Sequence, residues 1–291
     1  MKTSFWCLDI SFLCSLFYFA GNSKKKLEEG TADPTSALRG TIYTICKILS
    51  KRNPTYLVAA IDSKESFRKE IYPEYKAQRK EREEGYLRSV EQVREMLDLL
   101  GIPQICVNRY EADDVLCTLA EEAKKLEIPY VGVTQDKDFF QCLVKGEVGA
   151  YHKYDTWEFF SVKDAEEKWG VPCKCFVEFQ CIVGDLCDNI IAARGLGPKR
   201  AAMLLNKYSD LKTIYENISE LSVPFQKSLE ELAPRLDTVR KLVTLVKNVG
   251  NVCPVLDDFE VADFKLDRAG FRKLLERNDL IQVESLVLDL Y

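Results

Sequence analysis

The chain has 291 residues, 46% apolar and 30% charged, with 14 glycines and 10 prolines. These proportions belong to a folded protein with a sizeable core and exclude disordered, collagen-like and low-complexity classes. A formal charge of −5, from 41 Lys and Arg against 46 Asp and Glu, argues against a simple basic nucleic-acid binder.

The first element is an apolar run. Lys2 followed by residues 5–20 has the outline of a secretory signal. Asp9, however, puts a charge inside the run, where membrane insertion is costly. The favoured reading is a buried strand over 5–10 that ends in a functional carboxylate. Elsewhere no stretch reaches the roughly 18 uninterrupted apolar residues of a membrane span. No transmembrane helix is expected, and the expected location is cytoplasmic, nucleoid-associated if the source is bacterial.

Further strands are expected at 56–62, 104–107 and 130–135, alternating with amphipathic helices at 36–51, 87–100 and 112–126. That alternation predicts an α/β fold, a mostly parallel central sheet flanked by helices. A second ribbon is expected over 148–160. Beyond 162 strand signals fade, so the chain divides into an α/β core, 1–172, and a helical domain, 173–291.

The connection over 63–85 fits neither pattern. Between Lys64 and Arg82 it carries seven basic and four acidic residues, interleaved with Phe67, Tyr72 and Tyr75. A long polar connection in a compact domain is usually functional or disordered. Cations among rings suit single-stranded nucleic acid; the plain alternative is a solvated charged helix.

Carboxylates gather where such a sheet places its ligands, beyond the carboxyl ends of the strands. Asp9, Asp62 and Asp136 end three strands, with Asp138 two residues on. Glu111, Asp113 and Asp114 open a helix, and Gly-Asp-Leu-Cys-Asp-Asn supplies Asp185 and Asp188. Any one could be a helix cap. Nine in one cleft would repel unless cations neutralised them, and all-oxygen ligation points to Mg²⁺ or Mn²⁺. Two such ions are a standard device for in-line attack on phosphodiesters. Setting the nine aside turns the charge balance of the remainder positive.

Eleven cysteines without framework spacing read as reduced thiols. Cys173, Cys175, Cys181 and Cys187 lack the paired spacing of a zinc site. His152, the sole histidine, reads as structural. Further on, Gly195-Leu196-Gly197 forms a tight turn opening a helix at Pro198. Its amides, with Lys199 and Arg200, suit a phosphate backbone. A plain interhelical turn is the alternative.

Four blocks in order now resemble the 5′ nucleases, or flap endonucleases, most like the 5′→3′ exonuclease domain of bacterial DNA polymerase I and its free-standing relatives. The blocks are Ser66-Phe-Arg-Lys-Glu-Ile-Tyr-Pro-Glu-Tyr-Lys-Ala-Gln-Arg79, Tyr110-Glu-Ala-Asp-Asp114, Thr134-Gln-Asp-Lys-Asp138 and Gly184-Asp-Leu-Cys-Asp-Asn189. The resemblance implies a PIN-like, resolvase-like core with a helical arch over about 63–85, and a helical domain with a helix–hairpin–helix over about 185–206. It implies one metal at Asp9, Asp62, Glu111 and Asp113 and another at Asp136, Asp138 and Asp185. Asp114 and Asp188 match acids of the bacterial branch. Lys76 and Arg79 match cations on the scissile phosphate, and Tyr75 a base-stacking aromatic; Arg68 and Tyr72 are expected on DNA with them. The hairpin at Gly195 and Gly197 matches a duplex grip that holds K⁺ in relatives.

The implied activity is metal-dependent cleavage of 5′ flaps, nicks and RNA-primer ends by a monomer. A separate DNA polymerase or other replication and repair proteins are the expected partners. Phe12 and Leu16 stand where the family has a small residue and an arginine, and Ile190-Ile191-Ala192-Ala193 replaces Ile-Pro-Gly-Val. These departures motivate a second hypothesis, a DNA-binding member impaired in catalysis. A metal-dependent phosphatase or RNase would explain the acids but neither the arch nor the hairpin.

Overall fold

The computed structural model describes residues 3–143, 148–153, 156–250 and 256–291, with backbone alone between 148 and 160. The His152 side chain therefore lies outside the described residues. The chain opens with β1 (Phe5–Asp9), α1 (Ile10–Gly21), α2 (Lys24–Glu28), α3 (Thr35–Arg52), β2 (Tyr56–Ala60) and α4 (Phe67–Ile71). It continues with α5 (Glu84–Leu99), β3 (Gln104–Ile105), α6 (Ala112–Lys125), β4 (Tyr130–Val133), β5 (Val148–Lys153) and β6 (Thr156–Ser161). Then come α7 (Val162–Trp169), α8 (Phe176–Val183) and α9 (Pro198–Tyr208), followed by helical segments to the end.

The sheet order is β3-β2-β1-β4-β5-β6, parallel throughout except for antiparallel β5–β6. All five residues of β1 are buried, as expected of a parallel strand covered on both faces. Phe5 and Cys7 enter one core with α6 and the helical domain; Trp6 and Leu8 enter the other with α1, α3 and α5. The run over 5–20 is thus the central strand followed by a packed helix. Sequence periodicity leaves α1 unassigned.

Three expectations are corrected. The arch is helical only over α4: Tyr72 is extended (φ −141°, ψ 97°) ahead of Pro73, as the proline ring requires of its predecessor, and turns follow to Gln78. Cys117 and Cys142 are not free thiols but a disulfide, with Cα atoms 5.5 Å apart. Two of the cysteines weighed for zinc, Cys173 and Cys175, direct their thiols to the Val162 and Ser209 carbonyls. Finally, the C-terminal residues leave the helical domain. Phe271, Leu274, Leu275, Leu280, Val283 and Val287 pack in the core of α1, α3 and α5, because the i, i+3, i+4 apolar face of Arg268–Arg277 finds its cover there. The Tyr291 hydroxyl completes the return by donating to the Leu100 carbonyl at 2.7 Å.

Candidate active site

The strand order reverses between β1 and β4, and Asp9 and Asp136 follow those two strands at the switch point where α/β sheets place their ligands. Asp9 ends β1 and caps α1. Its Oδ1 accepts from the Phe12 amide at 2.9 Å and its Oδ2 from the Thr134 hydroxyl at 2.9 Å. Asp62 accepts from the Ser11 hydroxyl at 2.5 Å and the Ala112 amide at 2.8 Å, tying the end of β2 to the start of α6. Asp136 caps the 3-10 turn Lys137–Cys142 by accepting from the Asp138 amide at 2.8 Å. The caps are real, but all these carboxylates share one place.

Burial and then Asp62 push the Asp9 carboxyl up to about 7. Asp113 is held well above the carboxylate range by burial, then by Asp136, Asp9, Asp62 and Asp138. Asp138 is raised by burial and Asp136, and Asp136 by burial. The buried Oδ1 of Asp113 has no hydrogen-bond partner. Around this crowd stand cations. Lys76 Nζ donates to Glu111 Oε1 at 2.9 Å and lies 3.7 Å from Asp188. Arg79 also pairs with Asp188, and Lys137 with Asp185. Burial disfavours the Glu111 charge, yet Lys76 and Arg68 outweigh it and hold the carboxyl below its ordinary range. Among the described residues no three His, Cys, Asp or Glu are arranged to hold a metal ion as they stand. Glu111, Asp185 and Asp188 are turned to Lys76, Lys137 and Arg79 instead.

Eight of the nine expected acids thus converge, and Asp114 does not join them as a free ligand. It is 0% exposed and Arg68 2% exposed. Arg68 donates to both Asp114 oxygens, at 2.7 and 2.8 Å, and through Nε to the Leu242 carbonyl at 2.9 Å. The amides of Val246 and Glu111 fill the remaining Asp114 acceptor positions at 2.9 and 3.2 Å, which saturates a carboxylate. Asp114 as a metal ligand and Arg68 as a DNA contact are therefore corrected to an internal pair. Arg68→Ala should cost about 3–5 kcal/mol in urea unfolding, the penalty for stranding a buried charge. A loss under about 1 kcal/mol would show that the pair is not structural.

Tyr75 is corrected too. At 2% exposure its ring offers no face to a base; its hydroxyl instead bonds Glu111 and Asp188, each at 2.9 Å. Tyr72 remains half-buried. Lys137 is absent from the set expected from sequence, although a cation between two acids was a visible signal. The arch turn lies against the Asp185–Asn189 loop. The Lys76 amide donates to the Asp188 carbonyl at 3.0 Å, and Lys76 itself has φ +57°, a backbone region costly for a side chain other than glycine and frequent at functional sites.

At the hairpin, Gly195 has φ +80°, which favours glycine. Gly197 opens α9 with no side-chain cap and with Pro198 in the first turn. Gly195, Gly197, Lys199 and Arg200 are exposed, while Leu196 anchors the turn in the core. Arg200 donates to the Gly195 carbonyl at 2.7 Å. The arrangement offers amides and cations to an anion outside.

The N-terminal resolvase-like domain of 5′–3′ exonucleases matches residues 4–170, and the C-terminal SAM fold of 5′–3′ exonucleases matches 171–267. DNA polymerase I of Caldicellulosiruptor bescii is 32% identical over 282 residues, 92% of this chain and 33% of the polymerase; the chain spans about a third of that relative's length. The 5′–3′ exonuclease of Aquifex aeolicus is 28% identical over 290 residues, 99% of this chain and 94% of that one. Among solved structures, the bacteriophage T5 flap endonuclease in a pseudo-enzyme–product complex with DNA and metal ions superposes with a TM-score of 0.69 at 20% identity, covering 95% of this chain and 99% of that one. Flap endonuclease-1 from Methanococcus jannaschii gives 0.62 at 18%, covering 100% and 92%. These likenesses establish the fold. Both domain matches, in order and end to end, place the chain in the 5′–3′ exonuclease family of nucleases.

Proposed function

We propose that the chain is a divalent-metal-dependent 5′→3′ exonuclease and 5′-flap endonuclease, hydrolysing DNA phosphodiesters at flaps, nicks and RNA-primer ends in replication and repair. The observation that carries this reading is Asp113, a buried carboxylate with an unpartnered oxygen among four further aspartates. Such an all-oxygen donor set fits hard cations, Mg²⁺ or in its place Mn²⁺. Asp9, Asp62, Glu111 and Asp113 would hold one ion, and Asp136, Asp138 and Asp185 a second, with Asp188 beside them. Bound ions would supply Lewis acidity at the phosphate and ionise water near neutral pH.

The chain's own groups do the rest. Thr134 and the Phe12 amide fix the Asp9 oxygens, and Gln180 fixes Asp138. The Tyr75 hydroxyl lies between Glu111 and Asp188 and shares its one proton between them. Lys76, delivered by its strained turn, would exchange Glu111 for the phosphate and offset its developing charge, with Arg79 beside it. Tyr72, half-buried like Phe67, would offer an arch ring to a single strand, and the hairpin would grip duplex backbone, with K⁺ a candidate occupant. The enzyme would act as a monomer in concert with a DNA polymerase. The impaired-binder alternative gains no support from a cleft that keeps eight of the nine acids. The test is a labelled 5′-flap duplex with Mg²⁺ and then with excess chelator. Cleavage lost on chelation is expected; undiminished cleavage by metal-free protein would overturn the reading.

The hairpin is tested separately. Lys199→Ala with Arg200→Ala should weaken binding to all duplex sequences alike and flatten the log–log salt slope by roughly 0.9 for each phosphate no longer neutralised. A loss confined to one sequence would mean base readout instead.

A further inference from the structure

The cations already described at the cleft each face a carboxylate: Lys76, Arg79, Lys137 and Arg68. Arg82, at the exit of the arch, differs. It is exposed, and among the described residues no acid pairs with it. It is nevertheless held in place. Its Nη1 donates to the Tyr86 hydroxyl at 2.9 Å and its guanidinium lies 4.7 Å from the centre of the Tyr86 ring. Tyr86 is itself buried in the core, and its hydroxyl also meets Ser15 Oγ at 3.0 Å and the Ser11 carbonyl at 3.4 Å. Ser11 bonds Asp62 through its own hydroxyl. One phenol and one serine therefore separate this cation from the acid centre. The neighbouring α1 carries no charged side chain, so nothing there neutralises it.

A second observation points the same way. Phe19, 53% exposed, lies nearly parallel to Tyr86, with ring centres 5.9 Å apart and planes at 15°. The buried tyrosine thus contacts both an exposed ring and a guanidinium that no acid pairs among the described residues. A fixed cation beside an open aromatic face is the combination that binds single-stranded nucleic acid without regard to sequence, the cation taking phosphate and the ring taking a base.

We propose that Arg82 and Phe19, mounted on Tyr86, form a nucleotide-binding site for the 5′ single strand on the α1 side of the cleft, separate from the Lys76 turn and the glycine hairpin. The site rests on the 5′-nuclease reading and adds a residue pair that selects flapped over flapless substrates. A single strand leaving the acid centre along α1 would pass both groups that rest on Tyr86.

The test uses the full chain in Ca²⁺, with fluorescent duplexes bearing or lacking a 5′ single-stranded flap. Phe19→Ala should weaken binding of the flapped duplex roughly fivefold or more, the low end of base stacking, and Phe19→Trp should retain it. An abasic flap should abolish the difference between wild type and Phe19→Ala. Arg82→Gln should flatten the salt slope for the flapped duplex by about 0.7, the value for one single-strand phosphate. Neither variant should change binding of the flapless duplex. Wild-type affinity of both variants for the flap would overturn the site, as would an equal loss on flapped and flapless duplexes, which marks a purely structural role. Absence of Mg²⁺-dependent cleavage by the wild type would overturn the nuclease reading instead and leave this binding comparison decisive for the site.

Discussion

Asp136→Ala should remove cleavage of a 5′-flap duplex in Mg²⁺, with a fall in single-turnover rate on the order of 10³-fold or more. That is the scale of several kcal/mol of charge stabilisation supplied through a metal ligand. The carboxylate sits at the switch point, capping the turn that carries Asp138 and raised by its own burial. Folding should survive, because the substitution removes a single hydrogen bond, the one accepted from the Asp138 amide, and also relieves repulsion among neighbouring acids. Far-ultraviolet circular dichroism and the unfolding midpoint check that point. A variant that still cleaves within tenfold of wild type would take Asp136 out of the catalytic centre.

Lys76→Ala separates chemistry from binding. In this structure Lys76 Nζ lies on Glu111; the proposed phosphate is a competing partner that gains charge as the reaction proceeds. An interaction that strengthens on the way to the transition state lowers turnover when removed and leaves affinity alone. The single-turnover rate should fall on the order of 10²-fold, as for loss of one electrostatic stabiliser, while duplex affinity in Ca²⁺ stays near wild type. A surface lysine with no such role would cost under about 1 kcal/mol in either quantity. A near-wild-type rate therefore removes Lys76 from the mechanism.

Much of the centre was legible from local signals. β1, β2 and β4 are short apolar runs followed by Asp9, Asp62 and Asp136, and a sheet rule carries those acids to one edge. α1 was hidden because strand and helix form one continuous apolar stretch: its outer face carries Phe12, Leu16, Phe17 and Phe19 instead of polar residues, so the helical spacing of the buried Ile10, Leu13, Cys14 and Tyr18 does not show in the sequence. Arg68 and Tyr75 misled for the opposite reason. Their segment has the composition of a solvated surface, but the partners that bury Arg68 lie 46 and 174 residues away, at Asp114 and Leu242. Local pattern cannot report such partners. The disulfide joins residues 25 positions apart, and cysteine spacing alone does not choose its pairs. Arg82 and Phe19 looked like a stray charge and a stray ring until Tyr86 brought them together.

The stretch over 242–249, within the helical domain, has a mechanical consequence. Leu242 and Thr244 accept from Arg68, Val243 accepts from Gln141, Val246 meets Asp114 and Thr118, and Val249 donates from its amide to Thr118. These bonds stitch the far end of the second domain to the helix that opens with Glu111 and Asp113, across a boundary that exists only along the chain. The glycine turn, anchored through Leu196, and the helix that carries the acids also share one core, so they belong to one packed frame. On the proposed nuclease reading, the frame would act as a caliper: duplex seated on one jaw would bring a phosphate at a fixed distance to the other. Where the strand is cut would then be a length set by the protein, the same for every sequence it meets.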